Sequence, residues 1–309
     1  MPIPKNLICY TTGRKKTTKL VQQFARGLTN HPTVEWIPRV VNIQDFLDHG
    51  HPEDADAVAS LGILRGTGLA LQAAAAAGID RYYIDHSYFN PGYGGIGWMR
   101  ITKNKHSMNA VPKGEVFVDR WQGNFAKTNT MHTWKARAER GDKILVLPPT
   151  HAIQWYFNAY SWEDIVLTEL KKVLPPELHS LIKVRKKPNE PIVDKLGNLV
   201  RLETTVSEDS VSLEEDLLDT NVVVAYNSSV ALRATLMGLP VITNQHNCCY
   251  PISYTINDLA QGTDNPKFDV EPDRIKLVSW LSNCQFSSSE IQRGTSWQML
   301  KEVDNALDI

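Results

Sequence analysis

The segment from Asn221 to Thr243 carries the clearest chemical signal in the chain. An apolar run, Val222 to Ala225, leads into Asn227, Ser228 and Ser229; a helical stretch closed by Gly238 follows, then a second apolar run, Leu239 to Ile242. That order reads as strand, turn, helix, turn, strand. The helix opens with amide and hydroxyl side chains at a strand's carboxyl end. Unpaired N–H groups and the helix dipole suit such a terminus to phosphate or diphosphate, and open α/β sheets bind ligands at that edge. Service of Asn227 or Ser228 as a simple N-cap accounts for the same pattern.

The elements that must position such a turn repeat along the chain. In the first half the sequence predicts strands over Leu7 to Thr11, Val34 to Val40, Ala57 to Ile63, Tyr82 to Asp85 and Val116 to Val118. Helical stretches lie between them at Thr17 to Leu28, Ile43 to Asp48 and Leu69 to Ala77. Gly66-Thr-Gly68 makes a tight strand-to-helix turn but falls short of a dinucleotide fingerprint. Trp121 to Gly141 is polar, includes a charged helical segment from Trp134 to Arg140, and joins the halves.

The second half predicts strands at Lys143 to Leu147, Ile182 to Arg185, Val222 to Ala225 and Leu239 to Ile242. Asn189 to Ser210 reads as loop or hairpin, and helices close the chain at Asp273 to Ser282 and Ser288 to Ala306. Repeated βα units in both halves imply an α/β protein with two Rossmann-like parallel sheets, with a ligand expected in a cleft between them. The expected boundaries are 1–135, 136–285 and a C-terminal helix at 286–309 that could cross back to the first domain.

Bulk properties narrow the classes. The 309 residues carry a net charge of -1, with 42% apolar and 22% charged content, which fits a soluble fold and excludes a strongly basic nucleic-acid coat. No apolar run approaches the roughly 20 residues of a membrane helix, and the start lacks a secretory pattern. Cys9, Cys248, Cys249 and Cys284 show no CxxC spacing. A cytoplasmic, reduced protein without membrane contact is the simplest expectation.

Strand–Asn-Ser-Ser–helix–Gly-Leu-Pro-Val-Ile resembles the donor-binding domain of GT-B glycosyltransferases, especially capsular-polysaccharide-type enzymes and bacteriophage-encoded relatives. Val184-Arg-Lys-Lys-Pro188 is similar to the basic turn after a strand in that family, and Trp280 to Trp297 resembles a C-terminal segment of the phage proteins. Tyr82 to Phe89 and Met99 to Asn104 look like the acceptor-domain stretch. One position departs: Arg233 stands where many GT-B donor helices carry a Glu that holds ribose or sugar.

The resemblance implies transfer from a nucleotide sugar, with a UDP-sugar the expected donor and no obligatory cofactor or metal. An acceptor hydroxyl attacks the anomeric carbon and a nucleoside phosphate leaves, so pre-placed N–H groups and cations are required. Asn227, Ser228 and Ser229, with Lys187 or Arg185, fit that need. His151, after Pro148-Pro149-Thr150, could contact the diphosphate, although a lone His more often has a structural role; Tyr250 could pack on the nucleobase, and core packing explains it equally well. An inverting reaction needs a base, a role for Asp85 at a strand end or for the neighbouring His86. Capping of the following loop by Asp85, and a structural hydrogen bond from His86, are the competing explanations. Asp54 and Asp56 precede a strand and read as a turn rather than a metal pair.

Thr12, Gly13 and Arg14 close the first strand and could line an acceptor side, to which the resemblance adds Arg100 and its neighbour Trp98. Cations (Arg14, Lys15, Lys16, Lys19, Lys103, Lys105) mix there with Tyr88, Tyr93, Trp98 and His106, a mixture that suits nucleic acid or sugar. The phage resemblance favours a hydroxymethylated pyrimidine base in DNA, flipped from its stack; a polysaccharide is the alternative acceptor. A sugar-nucleotide 2-epimerase and a non-catalytic nucleotide-sugar or nucleic-acid binder share the fold and remain competing readings.

Overall fold

A computed structural model describes residues 5–30, 36–92, 97–112, 118–203, 211–263 and 268–307. The chain forms two units, each an α/β layer structure. The first comprises Met1–Met108, Val193–Leu199 and Leu281–Ile309; the second comprises Asn109–Ile192 and Val200–Trp280.

The first unit starts β1 (Lys5–Thr11), α1 (Lys15–Thr29), β2 (Trp36–Asn42), α2 (Ile43–His49), β3 (Ala57–Leu61), α3 (Thr67–Ala76), β4 (Asp80–His86) and β5 (Trp98–Lys103). The second carries α4 (Asp119–Asn124), β6 (Lys143–Leu147), α5 (His151–Phe157), α6 (Trp162–Val173) and β7 (Ile182–Val184). Next come β8 (Glu190–Val193), β9 (Leu199–Glu203), α7 (Leu213–Leu218), β10 (Thr220–Ala225), α8 (Val230–Leu236), β11 (Val241–Ile242), α9 (Ile256–Gln261) and α10 (Val270–Asn283). The chain finishes in the first unit with β12 (Gln285–Ser287), α11 (Ser288–Arg293) and α12 (Thr295–Ala306).

The first sheet has the order β12-β5-β4-β3-β1-β2. β1 to β4 are parallel; β5 is added antiparallel to β4, and β12, antiparallel to β5, runs again in the direction of β1 to β4. Central strands covered on both faces are predominantly apolar, and all five residues of β3 are buried, Ser60 with its hydroxyl on the Gly62 carbonyl at 3.4 Å. β2 is the edge, which tolerates Pro38 because its missing N–H breaks no inner ladder. α1 buries Leu20, Val21, Phe24, Ala25 and Leu28, the helical spacing of one face. Trp297 of α12 stacks on Phe24 with centroids 4.4 Å apart and donates its indole N–H to the Phe24 carbonyl at 3.2 Å. At Gly27 a Cβ would lie 2.0 Å from the Ile291 carbonyl oxygen, so only glycine lets α1 meet α11.

The second sheet has the order β11-β10-β6-β7 and is wholly parallel. Ile144, Val146, Val222, Val224 and Ile242 pack against Val166 and Leu170 of α6. Gly238 takes φ +79°, and a Cβ there would sit 2.1 Å from the Thr133 carbonyl oxygen. Arg274, fully buried, donates to the Thr235, Leu236 and His132 carbonyls and pairs with Glu271 at 2.9 Å. It closes the carboxyl end of α8, where a cation complements the helix dipole.

The α/β class and two Rossmann-like sheets read from the sequence are both present, with local corrections. Trp134 to Arg140 is not a helix; one 3-10 turn spans Arg137–Glu139, and Trp134 packs on Tyr254, Phe268 and the Arg274 guanidinium. The last strand shrinks to Val241–Ile242, since the Pro240 carbonyl only accepts from Val223. The C-terminal helix breaks at Gly294, with φ +85°. β5 and β12 were not foreseen as strands. Of the stretch expected at Val116 to Val118, Val118 has helical backbone and the rest lies outside the described residues, as do Val34 and residues 204–210 of the expected loop. No described helix is long and apolar enough to cross a membrane.

Candidate active site

Parallel strands gather their following turns on one edge. In the second sheet β6 delivers His151, β7 delivers Arg185 and Lys187, and β10 delivers Asn227, Ser228 and Ser229, all at the carboxyl edge. β11 leads through Thr243 to the loop that ends at Tyr250.

The local bonds sort these residues. Ser228 Oγ accepts the Val230 N–H at 3.3 Å, so one N–H of the α8 terminus is already taken, and its carbonyl accepts the Asn247 amide at 3.2 Å. Seven residues give α8 a modest dipole. Asn227 is half-buried and Ser229 exposed. The His151 backbone N–H donates to Glu190, and its ring meets Tyr160 edge-on at 6.3 Å. Arg185 turns instead to Asp216 and to the Val211 carbonyl, the latter at 3.1 Å, which commits its guanidinium to internal partners. Lys186 pairs with Glu163 at 3.3 Å, while Lys187 is exposed. Tyr250 is 49% exposed, which excludes simple core packing. Arg233, the departure from the GT-B pattern, pairs with Glu214 at 2.6 Å.

In the first sheet β1, β3 and β4 are parallel, so Thr12–Arg14 and Asp85–His86 leave the same edge. β5 runs the other way and begins there with Trp98, half-buried. Gly13 turns the chain with φ +73°, and the Arg14 carbonyl accepts the Thr17 hydroxyl at 2.9 Å as α1 begins. Thr12 and Thr17 hydroxyls lie 3.1 Å apart.

Antiparallel register sets Arg100 opposite Asp85. Arg100 reaches Asp85 Oδ2 at 3.1 Å, and His106 Nε2 lies 3.7 Å from the same oxygen. Asp85 Oδ1 accepts the His86 backbone N–H at 2.8 Å. The guanidinium lies 5.3 Å from the Tyr88 ring centroid. Burial by itself would raise the Asp85 carboxyl; Arg100, then His106 and the His86 N–H, outweigh it and hold it below the usual carboxylate range. Asp85 is therefore a settled anion with both oxygens engaged. His86, beside it, is exposed.

Neither a protein-family model nor a curated protein matches this sequence. Solved structures do align. The Thermosulfurimonas dismutans KpsC beta Kdo 2,7 transferase matches at 12% identity over 96% of this chain and 99% of that one, TM-score 0.45. The beta Kdo 2,4 transferase of the same organism's KpsC gives 10% identity, 90% of each chain and TM-score 0.40. The S. aureus MnaA-UDP structure gives 10% identity, 99% of this chain and 97% of that one, TM-score 0.31. At such scores the chemistry rests on this chain's own residues.

Those residues thin the cation–aromatic mixture expected on the first unit. Lys103 is held by Asp80 at 3.1 Å and Asp304 at 3.3 Å, and His106 is buried against Asp85. Tyr88 is committed beneath Arg100, and Tyr93 lies outside the described residues. Arg14, Lys15, Lys16 and Lys19 remain exposed. Asp54 pairs with Arg39 at 2.5 Å and Asp56 accepts the Asn6 N–H at 2.7 Å, both structural duties. Among the described residues no group of three His, Cys, Asp or Glu side chains could hold a metal ion.

Sequence reasoning missed two partnerships. His106 as a partner of Asp85 lies 21 positions away, across a strand and a turn. Tyr226, Phe157 and His246 come from three different segments yet meet as a cluster of rings. Their position just after β10, at the end of α5 and after β11 was the available signal.

Proposed function

We propose that the chain is a nucleotide-sugar-dependent glycosyltransferase of the GT-B type. The second unit binds the donor and the first holds the acceptor hydroxyl. The observation that carries this reading is the carboxyl edge of the second sheet, where neighbouring strands β7, β6 and β10 present Lys187, His151 and the Asn227–Ser229 turn together. A parallel α/β sheet binds nucleotides at that edge, and a cation beside polar turns meets the charge of a leaving nucleoside phosphate.

On the first unit the base is His86. Asp85 is a weak proton acceptor, because its ionised form is stabilised and its oxygens are occupied. As the acceptor oxygen bonds to the anomeric carbon, its proton passes to the His86 imidazole and the bond to the donor phosphate breaks. Asp85 keeps the strand end anchored to Arg100. Exposed Arg14, Lys15, Lys16 and Lys19 at the same sheet edge favour an anionic acceptor. Two acceptors carry such charge: DNA with a hydroxymethylated pyrimidine, and an acidic polysaccharide.

The test is incubation of the protein with a panel of UDP- and CMP-sugars and three acceptors: hydroxymethylcytosine DNA, unmodified DNA and acidic oligosaccharides. Mass spectrometry of digested products reads the transfer. A sugar-sized gain on one acceptor supports the proposal and names the substrate. Donor turnover to an epimer without acceptor, or no turnover with any donor, overturns it.

A further inference from the structure

His246 occupies a place that the reading above leaves without a role. Its ring packs against two others, Phe157 with centroids 4.1 Å apart and Tyr226 at 5.2 Å and 26° from parallel; those two lie 6.0 Å from each other, so the three form a triangular cluster. The cluster leaves the imidazole half-buried. Neither ring nitrogen has a hydrogen-bond partner among the described residues.

The loop that carries it is fixed at both sides. The Asn244 side chain accepts the His246 backbone N–H at 2.8 Å. Asn247, buried, accepts the Cys249 N–H at 2.9 Å and donates to the Ser228 carbonyl at 3.2 Å. The imidazole is thus tied to the turn that follows β10. An imidazole held in a ring cluster, attached to a polar turn at a sheet's carboxyl edge and with neither nitrogen bonded among the described residues, is arranged to meet a ligand. Phe157 and Tyr226 would serve a purely structural stack without the two nitrogens.

We infer that His246 contacts the donor, its ring edge donating an N–H to a phosphate oxygen of the bound nucleotide. The inference rests on the proposed donor role of the second unit and adds a residue and its ligand atom. Burial lowers the imidazole's proton affinity, which keeps it neutral with one donor and one acceptor nitrogen. A hydrogen bond to a charged oxygen is strong enough for its loss to be read directly in affinity.

Calorimetric titration of the full chain with UDP and CMP, and with uridine and cytidine as phosphate-free controls, tests this. His246→Phe keeps three rings and removes both nitrogens; roughly tenfold or greater weakening toward the phosphate-bearing nucleotide is expected, with nucleoside affinity unchanged. His246→Gln restores an N–H and should recover most of the loss. Thermal melts of both variants establish that they fold, and the Gln variant carries the test if the Phe variant does not. Wild-type affinity in His246→Phe, or a Gln variant as weak as the Phe one, overturns the inference and leaves the transferase reading standing. A wild-type protein that binds none of the nucleotides overturns both.

Discussion

Asp85 and Arg100 face one another across the β4–β5 pair, with one guanidinium nitrogen 3.1 Å from the carboxylate. The pair is partly buried, and the guanidinium holds the Asp85 carboxyl below the usual carboxylate range. It also makes a stability statement with a definite pH dependence.

Arg100→Met should destabilise the protein by about 1–3 kcal/mol near neutral pH, since it strands a half-buried carboxylate. The folded-state Asp85 pKa lies below its unfolded value, so its contribution is present above the unfolded pKa, about 3.9, and is lost as pH falls through the folded one. The difference between wild type and variant should therefore shrink as pH drops below about 4. Urea titrations at pH 7 and pH 3.5 measure it. An equal difference at both pH values would refute the ion pair's role.

His51 predicts a slope in a different window. Its Nε2 lies 2.9 Å from the Ala70 carbonyl and must donate, so Nδ1 accepts from the Tyr10 hydroxyl at 2.9 Å. Burial lowers its pKa despite the opposing Ala70 bond, so the neutral ring is the folded form. The unfolded chain then binds the extra proton, and stability falls as pH drops from about 6.5 toward the folded pKa. His51→Gln should flatten that part of the stability profile, while costing stability at pH 8. A profile of unchanged slope would show that His51 is not the titrating group.

Gly238 and Arg274 pin the same chain segment to α8. Gly238→Ala meets both a positive φ and the Thr133 carbonyl 2.1 Å from the new Cβ, so a loss of about 2 kcal/mol or more is expected. Arg274→Met removes the guanidinium donors from the Thr235, Leu236 and His132 carbonyls; Thr235 keeps the Gly238 N–H and Leu236 keeps the His132 N–H, so a loss of about 2 kcal/mol is expected. Denaturant midpoints decide both. A change under about 0.5 kcal/mol, typical of a surface substitution, would contradict the packing described.

The strands that positioned these residues differ in how plainly the sequence announces them. β3 and β10 carry short apolar runs, Ala57 to Ala59 and Val222 to Ala225, because both their faces are covered. β5 hides because Arg100 interrupts Trp98-Met-Arg-Ile-Thr-Lys and Lys103 ends it; the charges are accommodated by Asp85 and by Asp80 and Asp304, which lie beside them only after folding. β12 is three residues long, and its buried Gln285 is explained by accepting the Phe89 N–H at 2.7 Å. The same division holds at the site. Asp85, His151 and Ser228 were legible because a strand end is a local feature. Arg100 and His106 around Asp85, Asp216 on Arg185, and the rings around His246 are set by strand order and loop return, which no local pattern encodes.

The base assignment follows from that division and is the most direct check on the chemistry. His86 stands exposed next to an aspartate whose oxygens are taken, and under the proposed transferase reading its imidazole is the destination of the acceptor hydroxyl's proton. His86→Gln should leave nucleotide-sugar affinity within about twofold and lower turnover by ~10²–10⁴-fold, the usual worth of a general base. Asp85→Asn should lower stability as well as turnover, because it removes the partner of Arg100, and its activity loss should be partly regained under stabilising conditions. Steady-state rates, donor affinity and melting temperature measured together separate the two. If His86→Gln turns over at the wild-type rate while Asp85→Asn is inactive yet fully stable, Asp85 is the base and the ion pair must open during the reaction.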